Sequence, residues 1–257
     1  MTQEHTQENA ISFEGICKRF GTFKAVDHLS FQVGRGEAFG FLGPNGSGKT
    51  TTVRLMSGLL LPDSGAIHIA GLDLACEAVA IKRQMGVVSG TESLFKRVTL
   101  WEHLLMVGHI HGLDPEVTTQ RAESLLRFAD LWEKRGTYAH EASHGMQRKL
   151  LLGMALIHNP RILILDEPFE GLDPLSVRRL SELIGQLSAA GVTLFITSHL
   201  LHEVEKLVNH FVIINEGKVL HESNRTQLQR DGDSMESLYY SFLEKPLHER
   251  ITLPWLG

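Results

Sequence analysis

Hydrophobic and polar positions alternate early in the chain with the period of two that is typical of a half-buried strand. Leu29, Phe31 and Val33 are apolar, and polar residues separate them. A run of buried-strand type follows at residues 37–42 and ends at Gly43. Further short apolar runs predict buried strands at residues 67–69, 86–88, 162–165, 192–197 and 211–214.

A helical period begins after Lys49 and extends to about Leu60, where Pro62-Asp63-Ser64-Gly65 ends it. Helices are also predicted at residues 101–111, 118–128, 147–158, 175–187 and 235–243. Because helices separate most of the strands, we expect an α/β fold with a largely parallel sheet. No strand is predicted between about residues 90 and 159, which indicates an inserted helical subdomain.

Composition narrows the class of protein. Of the 257 residues 42% are hydrophobic, enough for a substantial core, and the formal net charge is −5. This charge argues against a nucleic-acid partner, which usually requires a broad basic surface. No apolar run approaches the length of a membrane span, the first residues carry no secretory pattern, and the two cysteines suggest no disulfide framework or zinc site. We therefore expect a soluble intracellular protein.

Residues 43–50 match the pattern G-x-x-x-x-G-K-[ST], between a predicted strand and a predicted helix. Glycines allow the backbone to wrap around phosphate oxygens, and the start of the helix favours an anion. Lys49 is expected at the β- and γ-phosphates, and Thr50 at magnesium. The alternative is a glycine-rich turn with a solvated lysine. The predicted ATP-binding residues here are Gly43, Pro44, Asn45, Gly46, Ser47, Gly48, Lys49, Thr50 and Thr51.

Two acids follow a strand of four branched apolar residues. Asp166 and Glu167 come at the carboxyl end of residues 162–165, where open α/β sheets bind ligands. We expect Asp166 to hold magnesium and Glu167, which points differently, to orient or deprotonate the attacking water. His199 follows a strand expected beside the acidic one, so it is a candidate to bind the γ-phosphate. An ordinary polar loop and a structural histidine are the alternatives.

A third motif lies shortly before the acidic strand, at Ala142-Ser143-His144-Gly145-Met146. Together with the two motifs above, it resembles the ATP-binding subunit of ABC transporters, whose signature is Leu-Ser-Gly-Gly-Gln. Ser143 and Gly145 agree with that signature, whereas Ala142, His144 and Met146 differ. The Ser-x-Gly-Met form resembles the branch that works with export permeases. Without the resemblance, Ser143 is equally an N-cap of the following helix.

The resemblance implies roles for several further residues. Phe20 stands where an aromatic side chain stacks on adenine, and Asp173 where a loop communicates across a dimer, although Asp173 followed by Pro174 also predicts a helix N-cap. Gly90 occupies the place of a magnesium-binding glutamine, which glycine cannot replace. Either Glu92 or a water substitutes there, or the coupling between ATP and the motion of the helical subdomain is looser. An apolar cluster beside it is either a permease contact or core. This cluster consists of Leu94, Phe95, Leu100 and Trp101.

The resemblance implies a P-loop NTPase fold with a RecA-like core sheet and an N-terminal antiparallel β subdomain. We expect residues 1–89 and 160–233 to form the ATP-binding core, residues 90–159 the helical subdomain, and residues 234–257 a C-terminal helix and tail. The implied function is Mg2+-dependent ATP hydrolysis at the cytoplasmic face of the membrane. The partners are a separate permease and a second copy or a related subunit, whose Ser143, Gly145 and Asp173 contact the nucleotide. The alternatives are an ABC-type ATPase outside transport and a regulatory ATP-binding module with little turnover.

Overall fold

The strands form two sheets within residues 9–90 and 94–243, the part of the chain that this computed structural model describes. The strands are β1 (Asn9–Phe20), β2 (Phe23–Gly34), β3 (Ala38–Leu42), β4 (Ser64–Ile69), β5 (Leu72–Asp73), β6 (Met85–Val88), β7 (Ile162–Asp166), β8 (Thr193–Ser198), β9 (His210–Asn215) and β10 (Lys218–Asn224). The first sheet is antiparallel, in the order β2-β1-β4-β5. Its β2 buries Leu29, Phe31 and Val33, as the alternating pattern predicts.

The second sheet has the order β10-β9-β3-β8-β7-β6. All neighbouring pairs are parallel except β10 with β9, which confirms the prediction of a largely parallel sheet. Strands β3, β7 and β8 are buried along their whole length, because both faces of the sheet are covered. Phe31 of β2 stacks on Phe39 of β3 and Phe195 of β8, so one aromatic cluster joins the two sheets.

Nine α-helices are assigned in the described ranges. They are α1 (Lys49–Met56), α2 (Leu74–Lys82), α3 (Leu100–Ile110), α4 (Pro115–Phe128), α5 (His144–Leu156), α6 (Pro174–Ala189), α7 (Leu201–Glu205), α8 (Arg225–Asp231) and α9 (Met235–Leu243). The predicted helix after Lys49 is too long, since Gly58, with a φ of 66°, ends the turn that follows Met56. Helix α9 packs on α7, and the Met235 N–H donates to Glu205.

Helices α3, α4 and α5 pack around their own apolar core, which includes Leu104, Leu126 and Leu150. Local capping signals start these helices. Thr99 and Glu102 form a reciprocal capping box on α3, and the Asp114 carboxylate caps α4. No strand is assigned between residues 94 and 159, in agreement with the predicted helical insertion.

Parallel strands place their carboxyl ends at one edge of the sheet. The segments that follow β3, β7 and β8 therefore meet there, and these segments contain the phosphate loop, the two acids and His199. In α6, Leu180 and Ile184 are buried, whereas Leu183 and Leu187 are only half-buried. No helix among the described residues has both the length and the apolar character that spanning a bilayer requires.

Candidate functional site

The phosphate loop connects β3 to α1 and is pressed against the sheet. A Cβ atom added at Gly43 would lie 2.5 Å from the carbonyl oxygen of Ile214, and one at Gly48 2.5 Å from that of Ala25. Gly48 also has a φ of 109°, which disfavours residues with a side chain. As the N-cap of α1, Gly48 offers no side-chain acceptor to the first turn, whose N–H groups suit an anion.

Lys49 is buried at the first position of α1. Its ammonium donates to the carbonyl oxygens of Gly43 at 2.7 Å and Pro44 at 3.2 Å. The Nζ atom also lies 3.2 Å from Glu167 Oε1, but the two are not aligned as a hydrogen bond. Among the described residues, neither Glu167 Oε1 nor the buried Ser47 hydroxyl has a hydrogen-bond partner. The phosphate loop and the adjacent Glu167 thus provide a cation and polar atoms that can form hydrogen bonds to a ligand.

Thr197 of β8 connects the two acids at the end of β7. Its hydroxyl donates to Asp166 Oδ1 at 2.5 Å and accepts from the Glu167 N–H at 3.0 Å. Sequence reasoning missed this residue, because its role depends on the pairing of Asp166 with Thr197 across parallel strands. The only signal was its position two residues before His199.

The Glu167 backbone has a φ of 48°, in the left-handed region that non-glycine residues avoid. The carboxylate Oε2 lies 2.9 Å from His199 Nδ1 and accepts the His199 backbone N–H at 3.2 Å. The predicted adjacency of the strands that carry Glu167 and His199 is therefore confirmed. Strained backbone of this kind persists where the surrounding structure enforces it, often at functional sites.

Asp166 and Thr50 offer oxygen atoms suited to a divalent cation. Burial raises the pKa of Asp166, and the neighbouring Glu167 charge raises it further, although Thr197, Thr50 and Lys49 act in the opposite direction. A cation at this carboxylate would offset the cost of burying its charge. Thr50 lowers the pKa of Asp166 and lines the same cleft, so the two predicted magnesium ligands lie at one site and fit the ion.

The phosphate cleft is a cavity of about 320 Å³, large enough for part of a nucleotide. Phe23 lines it, whereas the predicted adenine contact Phe20 lies next to Phe23 in the β1–β2 hairpin, is about half exposed and does not line it. Phe23 is therefore a further candidate for the base. The residues around the cleft are Phe23, Ala25, Asn45, Gly46, Gly48, Lys49, Thr50, Thr51, Glu167, Glu170 and His199.

The signature turn, residues 142–146, begins α5. The Ser143 hydroxyl accepts the Met146 N–H at 3.3 Å, so Ser143 is an N-cap and the helix starts at His144 instead of the predicted residue 147. Asp173 caps α6 in the same way, accepting the N–H groups of Leu175 and Ser176 at 3.1 Å. Neither Ser143 nor Asp173 is among the described residues that line the phosphate cleft of this chain.

Gly90 lines a second cleft, together with His144, Arg148 and the predicted magnesium ligands Thr50 and Asp166. The possible substitute Glu92 lies outside the described residues. Nearby, Leu100 is fully buried in the helical core, which favours the core alternative for this residue, whereas Phe95 is well exposed. Leu94 and Trp101 are half-buried, so the cluster is partly core and partly surface.

Outside the site, Cys17 lies close to Asp27 and His28 although the sequence suggests an isolated thiol. A hydrogen bond from His28, together with one from Lys24, lowers the pKa of Asp27 to about 2. Lys218 lies 3.4 Å from the same carboxylate. Because two ammonium groups already balance this acid, the cluster does not favour a metal ion.

A parallel sheet with a phosphate loop after one strand and adjacent acids after another defines a P-loop nucleoside triphosphatase. Residues 26–170, more than half of the chain, match the ABC transporter family, and the chain belongs to that family. It is an ATP-binding subunit with ATPase activity, as the resemblance predicts.

Relatives of known name support this assignment. The chain is 35% identical over 251 residues to the Nod factor export ATP-binding protein I of Ralstonia nicotianae, covering 94% of this chain and 78% of the relative. It is 36% identical over 230 residues to the linearmycin resistance ATP-binding protein LnrL of Bacillus subtilis, covering 89% and 74%.

Solved structures show the same fold. An ATP-binding subunit of an ABC transporter superposes with a TM-score of 0.84 at 30% identity, covering 91% of this chain and all of that one. A dimeric ATP-binding cassette bound to ADP and Pi superposes with a TM-score of 0.78 at 22% identity, covering 84% and 98%. The P-loop fold with its antiparallel sheet is therefore confirmed.

Proposed function

We propose that this subunit drives export through a separate integral-membrane permease, at the cytoplasmic face of the membrane. The names of the relatives, which concern Nod factor export and linearmycin resistance, support export and do not identify the cargo. Co-purification of the full chain from membranes with one integral-membrane protein is the expected result. Recovery only as a free protein would contradict the pairing.

The geometry of the phosphate cleft supports the proposed roles of the site residues. The observation that carries the proposal is the position of Glu167, whose Oε1 atom is buried, has no hydrogen-bond partner among the described residues and faces the Lys49 ammonium. Lys49 gives up its hydrogen bonds to the Gly43 and Pro44 carbonyls and binds the β- and γ-phosphates instead. Glu167 orients and deprotonates a water, and His199 holds both the Glu167 carboxylate and the γ-phosphate.

Magnesium, held by Thr50 and Asp166, would neutralise the negative charge of the phosphates. Thr197 keeps the two acids in fixed relation, because its hydroxyl bonds to both residues. Phe20 and Phe23 are paired in the β1–β2 hairpin, where Phe23 lines the cleft, and they stack on the base. The remaining loop residues, Gly43 to Gly48 and Thr51, bind phosphate through backbone N–H groups and hydroxyls, except Pro44, which has no N–H and shapes the loop.

Two subunits, identical or closely related, are proposed to share each nucleotide. Ser143, Gly145 and Asp173 lie on surfaces outside the cleft of their own chain, so they contact the nucleotide held by the partner. No nucleic acid takes part. Residues 90–159 move as the helical subdomain against a core of residues 1–89 and 160–233, and residues 234–257 form the C-terminal segment.

Glu167→Gln tests the carboxylate. The variant keeps the size of the side chain but lacks the base, so turnover falls by about 100-fold or more while ATP still binds and a nucleotide-loaded dimer accumulates. Glu133→Gln, at an exposed site in the helical region, is the matched control. Turnover at the normal rate in Glu167→Gln would show that another group activates the water.

A mixing experiment tests the shared nucleotide. Gly145→Asp places an acid where a phosphate is expected, and the position has open space and a helix N-terminus that tolerates Asp. Neither Gly145→Asp nor Lys49→Ala alone is active. Mixed, half of the dimers contain both variants and each has one intact site of two, so about a quarter of the activity returns. Activity in Gly145→Asp alone would place the whole site within one chain, and Gly145→Ala is the control.

A further inference from the structure

Arg148 of α5 is the feature of this site that remains without a role. Its side chain is 9% exposed, and its Nη1 atom donates to the backbone carbonyl of Glu167 at 3.3 Å. The Nη2 atom forms an ion pair with Glu170, also at 3.3 Å. One guanidinium therefore joins the helix that Ser143 caps to the segment that contains the proposed general base.

The contact falls on a strained peptide. Glu167 has its left-handed φ of 48°, and its N–H is held by Thr197 on the neighbouring strand. On the carbonyl side, the oxygen accepts from the Glu170 N–H at 3.2 Å, within the same loop, and from Arg148. Arg148 thus supplies the hydrogen bond that links the Glu167 carbonyl to a different element. A shift of α5 relative to β7 changes that bond.

The pairing of Arg148 is incomplete, which argues against a role in stability alone. Its Nε atom is buried and has no partner among the described residues, and apolar side chains such as Leu152 and Leu165 line the cavity beside it. A buried guanidinium with an unused donor costs free energy that an apolar side chain of similar length would not.

We propose that Arg148 is a positioning residue that sets the orientation of Glu167 according to the position of α5. The proposal rests on the role of Glu167 proposed above. When α5 sits correctly, the guanidinium fixes the carbonyl of Glu167 and the Glu170 loop, and the carboxylate points towards Lys49. Arg148 is not among the described residues that line the phosphate cleft, so it acts through Glu167.

Steady-state ATPase kinetics of the full chain test the proposal. Arg148→Met removes both hydrogen bonds, so kcat falls about tenfold while the KM for ATP stays within about twofold, because the phosphate loop is untouched. Arg148→Lys keeps the positive charge but lacks the planar guanidinium that donates to two acceptors at once, so it recovers part of kcat. Glu170→Gln lowers kcat less, and adding it to Arg148→Met has no further effect. Arg178→Met, which removes an exposed ion pair on α6, is the control.

Two measurements separate positioning from folding and from dimer formation. The thermal midpoint of Arg148→Met should equal or exceed that of the wild type, since the lost guanidinium was incompletely paired. The double variant Glu167→Gln/Arg148→Met should still form the ATP-loaded dimer. A lowered midpoint together with lower turnover, or a double variant that stays monomeric, overturns the proposal.

The two proposals fail in different ways. If Glu167→Gln abolishes turnover and Arg148→Met has a normal kcat, only the role of Arg148 is wrong. If Glu167→Gln itself turns over normally, the proposed base is wrong. Should Arg148→Met fail to fold, Glu170→Gln decides: a lower kcat at unchanged KM supports the positioning role, and a normal kcat contradicts it.

Discussion

The two ends of the parallel sheet each hold a glutamate–histidine pair, and the pairs differ in how completely they are bonded. At the amino end, Glu37 accepts the Gly34 N–H at 2.6 Å and pairs with His210 at 3.1 Å, and the second ring nitrogen of His210 lies 2.8 Å from Glu222. Both nitrogens and both oxygens of that pair have partners.

At the carboxyl end, Glu167 and His199 form a pair at 2.9 Å, but the rest of the environment is unlike that at the amino end. Glu167 has strained backbone, and its Oε1 atom accepts no hydrogen bond from the described residues. The same two residue types thus stabilise the fold where all their atoms are bonded, and belong to the proposed catalytic site where some atoms are left for a ligand. Four substitutions test this contrast.

Asp166→Asn has the largest expected effect. Turnover falls by about 100-fold or more because the proposed magnesium ligand loses its charge. Since burial raises the pKa of Asp166, the neutral amide costs less to bury, so the thermal midpoint without nucleotide is expected to be unchanged or higher. A steady-state ATPase assay measures turnover, and calorimetry with and without Mg-ATP measures the thermal midpoint. A large fall in the midpoint without nucleotide would contradict the view that this end of the sheet is not optimised for stability.

Thr197→Val comes next. Valine has the shape of threonine but cannot bridge Asp166 and the Glu167 N–H, so kcat is expected to fall about tenfold or more. Thr197→Ser keeps the hydroxyl and is the control, with turnover near that of the wild type. Equal kinetics for the Val and Ser variants would mean that the hydroxyl bridge does not position the acids.

His210→Gln tests the amino end through stability. The hydrogen bond with Glu37 raises the pKa of His210, so its contribution is fully present below pH 6.5 and is lost as the pH rises through the higher folded value. We expect a loss of about 1 kcal/mol at pH 6 that shrinks towards pH 9. Urea unfolding measures it, with the exposed His109→Gln as control. A loss that is the same at every pH would exclude the charged pair as its cause.

His199→Gln should change stability less than His210→Gln. The His199 side chain is 38% exposed, and an ion pair with an exposed partner contributes little, so the free energy of unfolding should change by less than about 0.5 kcal/mol. Turnover is expected to fall strongly, in contrast to His210→Gln. If both histidine variants lost equal stability, the proposed difference between the two ends would disappear.

Local signals explain which parts of the fold the sequence predicts. Strand β7 was evident from four branched apolar residues, and the caps Ser143 and Asp173 from their residue types, because these depend on neighbours within a few positions. The predicted start of α5 is three residues too late, because the residue directly after the Ser143 N-cap is already helical.

Long-range pairings explain what the sequence did not predict. Thr197 and Arg148 reach the acids only through strand register and helix packing, which no local pattern contains. Burial of Leu100 was likewise decided by helices distant in sequence. The left-handed φ of Glu167 could not be predicted from the sequence either, since glutamate does not favour that conformation.

The packing of α9 on α7 has a practical consequence. Helix α7 begins two residues after His199, and the Met235 N–H bonds to Glu205 at its end. A C-terminal truncation that removes Met235 and the rest of α9 would therefore release α7, and α7 holds the segment that contains His199 in place. Low ATPase activity of such a truncated chain would then result from the loss of the α9–α7 contact, and restoring α9 would restore the activity.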